Sequence, residues 1–168
     1  MTSPPPTVKR SVLRRRAQRD ALWPEASAVV FPTVAGGWSQ MPRTVPMIAS
    51  LIDHISGKDK PGRLYITLWS YEYGDGFVEI PDPAQVALEA GYFTNRAERT
   101  FSERIAQLKT MGFIKTASVG MRDDAFLLLV DPHRVVAQIH TIDPEHIPER
   151  WWTAFKARCA LIGVKLAA

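Results

Sequence analysis

The sequence holds a single cysteine, Cys159, in 168 residues. One thiol excludes an internal disulfide framework and any zinc site built from several cysteines. No apolar run approaches the roughly 20 residues that a membrane-spanning helix needs. Basic residues near the start are followed by no apolar core of the secretory kind. Together these absences predict a cytoplasmic protein without membrane contact. The four histidines, His54, His133, His140 and His146, fall in no metal-ligand spacing. DPHR and DPEH each set an aspartate near a histidine, but both Asp-Pro pairs read as helix starts with aspartate as the cap. Phosphate-binding loops, nucleophile elbows and paired catalytic carboxylates are missing too. The expectation is a protein that is not an enzyme and carries no cofactor.

What is present is a core and a segregated charge. An apolar share of 46%, with five tryptophans and seven phenylalanines, fits a packed fold. The net charge of +4 is modest, but its distribution is not even. Lys9, Arg10, Arg14, Arg15, Arg16 and Arg19 precede the first acid, Asp20. Arg96, Arg99, Arg104, Lys109, Lys115 and Arg122 follow in one stretch, against Glu98 and Glu103. Between these lies an acidic segment with Glu72, Asp75, Glu79, Asp82 and Glu89. Such separation is the form a polyanion footprint takes, although an ordinary solvated face gives the same pattern.

The length fits one domain with extensions. Residues 1–20 read as a basic, flexible arm, three prolines followed by arginines, with Val12, Leu13 and Ala17 as a thin stripe for folding on a partner. Residues 21–61 read as a proline-broken loop, with a short strand at 28–31, and a leading helix carrying Val45, Ile48, Leu51, Ile52 and Ile55. GRLYITLWS suits a strand by composition and a helix by the spacing of Leu64, Leu68 and Tyr71. GDG at 74–76 is a turn and FVEI a short strand. DPAQVALEAG has an aspartate cap, proline at the first helical position and a glycine stop. Asn95 and Glu98 have capping-box spacing and predict a helix to Met111, with Ala97, Phe101, Ile105, Leu108 and Met111 on its buried face. FIKTASV and AFLLLV read as a hairpin across GMRDD, whose aspartates suit the turn. Residues 131–168 read as two further helices.

The order of these elements over 62–130, carried by GRLYITLWSYEYGDG, VALEAG and RTFSERIAQLKTMGFI, resembles the winged helix-turn-helix family. The likeness is greatest to winged helices of plasmid and phage replication proteins and small bacterial regulators. The resemblance implies a mainly α fold with a small β wing, an N-terminal arm and C-terminal helices, and it turns GRLYITLWS into a helix. The spacing from Gly91 to Arg99 is longer than is usual in the family. It also implies that the third helix enters the major groove of double-stranded DNA. At 100° per residue from Phe101, the residues Asn95, Arg96, Arg99, Glu103 and Gln107 point away from the core and would face base edges. Thr100 would bind phosphate, Arg104 would pair or snorkel, and Lys115 and Arg122 on the wing would meet the DNA backbone or minor groove. Arg14, Arg15 and Arg16 would add phosphate contacts from the arm.

Trp151, Phe155, Cys159 and Ile162 form one helical stripe, widened by Trp152. It suits either a homodimer seam or packing against the chain itself. The functional expectation is a sequence-specific DNA-binding regulator or accessory factor of a mobile element. A replication initiator is the alternative within DNA binding, and an adaptor or inhibitor that docks a protein partner is the alternative outside it.

Overall fold

A computed structural model of the chain describes residues 10–29, 39–120 and 122–166. The chain divides into two compact units, residues 1–38 and 39–168.

The first unit contains helix α1 (Arg10–Leu22) and the single turn α2 (Ala26–Val29). Arginine, glutamine, alanine and leucine all have favourable helix propensity, and the described part of this basic run is helical. Polar residues surround the helix: Arg14, Arg15 and Arg16 are all exposed, and so are Val12 and Leu13. The strand expected at 28–31 is not formed at its start, because Ala28 and Val29 are helical. Residues 30 and 31 lie outside the described residues.

The second unit is mainly helical with a small antiparallel sheet. Its elements are α3 (Val45–Ile55), α4 (Gly62–Trp69), β1 (Phe77–Glu79), α5 (Pro83–Glu89), α6 (Ala97–Thr110), β2 (Ile114–Val119), β3 (Arg122–Leu129), α7 (Pro132–Ile142) and α8 (Glu149–Ile162). A 3-10 turn, Pro144–His146, joins the last two helices. Asp82 and Asp131 start α5 and α7 as expected from their sequence, accepting from the N–H groups of Ala84 and His133. The GDG turn is tied by Glu72, which is 6% exposed and accepts from the N–H groups of Gly74 and Gly76.

The strand order is β1-β3-β2, with Phe77 opposite Leu128 and Lys115 opposite the same Leu128 from the other side. Val78, Ile114, Leu127 and Leu129 turn inward. They close a core with Ile48 and Ile52 of α3, Leu64, Tyr65 and Leu68 of α4, Val86 of α5, and Phe101, Ile105 and Leu108 of α6. Phe113 packs edge-on against Tyr65, with ring centres 5.4 Å apart.

The C-terminal helices belong to this core. Phe155 and Cys159 are 0% and 1% exposed within one chain, and Ile147 is 3% exposed. Phe155 stacks on His133, whose Nε2 lies 2.7 Å from the Thr44 hydroxyl at the start of α3. An imidazole that donates from Nδ1 to Asp131 and accepts at Nε2 from Thr44 satisfies both contacts. Trp152 stacks on His140 at 4.1 Å and carries the Lys156 ammonium over its ring. The stripe offered as a dimer seam is therefore corrected at its centre: Phe155 and Cys159 are already covered by their own chain. Trp151, Trp152 and Ile162 are partly covered.

Candidate nucleic-acid interface

α6 is held by Phe101, Ile105 and Leu108, and this fixes which residues it turns outward. Glu98, Arg99, Ser102, Glu103, Ala106, Lys109 and Thr110 are exposed along it. Of the residues expected to face outward, Arg99 and Glu103 do so, but they face each other: Arg99 Nε donates to Glu103 Oε1 at 2.8 Å. Thr100 lies at the edge of this face, half-buried.

The start of α6 differs from the capping-box expectation. Arg96 occupies the cap position and no side chain caps the helix. Thr94 Oγ1 instead accepts from the Arg96 N–H at 3.3 Å. Asn95 and Arg96 thus precede the first turn and are exposed in the connection from α5, so helical phase does not set their direction.

Gln107, expected to face outward, is half-buried and tied within the fold. Its side-chain amide donates to Asp59 Oδ2, while Arg104 Nη2 lies 3.1 Å from Asp59 Oδ1. Arg104 pairs, as its border position suggested, with 14% of its side chain exposed. These two contacts fasten α6 to the α3–α4 loop. Tyr92, beside Arg104, has its phenol pushed above the ordinary value by burial. Arg63 crosses the α5–α6 connection close to Gly91, whose φ of +85° is a conformation that favours glycine.

On the hairpin, Arg122 also has partners within the fold. Its Nη2 donates to the Ile80 carbonyl at 3.1 Å, and its Nε faces Asp124 at 3.7 Å. It braces β3 against the end of β1. Lys115 is exposed beside Leu128. Arg14, Arg15 and Arg16 sit exposed on α1 in the other unit.

Ser102, Ala106, Lys109 and Thr110 share the outward face and were not selected from sequence. The helical phase counted from Phe101 contains them. Among the described residues, no three histidine, cysteine, aspartate or glutamate side chains gather as a metal site, and no helix is long and apolar enough to cross a membrane. No family model matches the chain, and no curated protein or solved structure matches it significantly.

Proposed function

We propose that residues 62–130 form a winged helix-turn-helix and that the chain binds double-stranded DNA, with α6 as the element that enters the major groove. The observation that carries this reading is the path around α6. A helix and a short strand lead to two helices joined through Gly91, and then to a hairpin whose second strand pairs with the first strand. Among the described residues of the 39–168 unit, Arg99, Ser102, Glu103, Ala106 and Thr110 lie exposed along the outer face of α6. The polar side chains among them, Arg99, Ser102, Glu103 and Thr110, match the donors and acceptors of base edges. The role that fits is a DNA-binding regulator or accessory factor of a mobile element.

Selection of bound sites from a random duplex pool tests the reading directly. Enrichment of a common sequence, bound with a steep loss of affinity between 50 and 200 mM salt, is expected. Failure to bind any duplex at low salt would refute it and leave the protein-docking alternative.

A further inference from the structure

The cations on and around α6 are not equally engaged. Arg99, Arg104 and Arg122 are engaged with Glu103, Asp59 and Asp124. Lys109, Lys115 and Arg134 are exposed and have no ion-pair partner among the described residues. These three converge. They line one groove of about 420 Å³ between the end of α6, the free edge of β2 and the outer side of α7, together with Thr116 and Gln138. Among the described residues, no carboxylate lines it. The neighbouring groove on the other side of Lys109 is lined by Asp123 and Asp124 and lacks this uniform sign.

The backbone adds donors to the same place. The Phe113 carbonyl accepts from Val130 N–H, and Lys115 and Ala117 follow at alternate positions opposite Leu128 and Phe126. In an antiparallel ladder only alternate residues exchange bonds with the neighbour. Ile114 and Thr116 therefore turn their N–H and C=O groups to the open edge of β2, because β2 ends the sheet. Arg134 and Gln138 are one helical turn apart on α7, so both side chains reach the groove from the same face.

A concave site with three unpaired cations, a hydroxyl, an amide and strand-edge N–H groups, and no acid, suits consecutive phosphates. The geometry points to this groove as a phosphodiester-backbone site, in which Lys109, Lys115 and Arg134 hold nucleic-acid phosphates without reading sequence. The assignment rests on the DNA-binding reading and extends it to residues of α7. It also gives Lys115 a backbone contact reached from the strand edge, with Lys109 and Arg134 as its neighbours.

The test is the salt dependence of binding to a fluorescein-labelled random-sequence duplex, followed by anisotropy for the wild-type chain and for a triple variant, Lys109→Gln, Lys115→Gln and Arg134→Gln. Each phosphate contact contributes about 0.9 to the slope of log affinity against log salt. The triple variant should lower that slope by close to 3 and weaken all duplexes equally. Its thermal midpoint should hold, since all three side chains are exposed. A companion that keeps the charge, Lys109→Arg, Lys115→Arg and Arg134→Lys, should retain the wild-type slope. Wild-type binding with an unchanged slope in the glutamine variant would overturn the groove and leave the α6 reading standing. Absence of duplex binding by the wild-type chain would overturn both.

Discussion

Gly62→Ala is a one-carbon change with a calculable cost. Gly62 opens α4, is buried, and donates its N–H to Asp53 Oδ1 at 2.6 Å. A β-carbon there would press on the backbone carbonyl of Ala49 in α3 and lie 2.8 Å from Asp53 Oδ1. The obstacle is main chain, so no rotamer change relieves it, and α4 must retreat from α3. That movement loosens Leu64 and Leu68 against Ile48 and Ile52, all 0% exposed. Overpacking of this kind costs about 1–3 kcal/mol. Alanine would otherwise gain about 0.5–1 kcal/mol over glycine in a helix, and here the clash outweighs that gain. The net loss, up to about 2.5 kcal/mol, lowers the melting temperature by up to roughly 10 °C for a chain of this size. Far-ultraviolet circular dichroism during heating measures it. Ala49→Gly should not rescue the variant, because the carbonyl remains. A melting temperature at or above the wild-type value would refute the close approach.

Arg99→Ala should weaken specific duplex binding by about 1–3 kcal/mol and relax preference at one base position. It should leave the melting temperature nearly unchanged, because an exposed i,i+4 pair contributes only about 0.3–0.5 kcal/mol. Phe155→Ala should destabilise the fold by about 3–5 kcal/mol in a urea titration; a folded protein with altered sedimentation would instead restore the dimer-seam reading. Removing residues 1–19 should reduce affinity for all duplexes alike and flatten the salt slope, as seen by anisotropy. Burial raises the phenols of Tyr65 and Tyr71, the latter to about 12, with its hydrogen bond to Glu89 adding to the effect. The fold therefore favours the neutral phenol. Its contribution is complete below the ordinary value near 10 and is lost as pH rises through 10 toward 12. Urea midpoints should fall across that window, and a flat profile would contradict the burial of Tyr65.

Asp82 and Asp131 were legible in the sequence because a cap and the proline after it act within one turn of chain. The buried face of α6 was legible for a similar reason: Phe101, Ile105 and Leu108 repeat at helical spacing. GRLYITLWS was not settled by composition, since its aromatic and β-branched residues suit either state; packing against α3 makes it helical. Gln107 and Arg122 escaped because their partners, Asp59 and Ile80, are remote in sequence. Helical phase states that a side chain leaves the core, but it does not state that a loop from elsewhere comes to meet it. The α8 stripe carried the same ambiguity: its periodicity required a cover, and only the path of the chain supplies α7 and the Thr44–His133–Phe155 contacts. Lys109, Lys115 and Arg134 come together by topology alone, as no local pattern links the end of one helix, a strand edge and a later helix.

The Thr44–His133–Phe155 contact also has a consequence for the order of events during synthesis. It joins the beginning of α3 to the middle of α8, so the 39–168 unit cannot complete its core while only its first segments have been translated. Thr44 meets its buried partner His133 once α7 has emerged, but until residues through Cys159 follow, the pocket that takes Phe155 stands open to water. A nascent chain halted before α8 would therefore present apolar surface to chaperones and proteases.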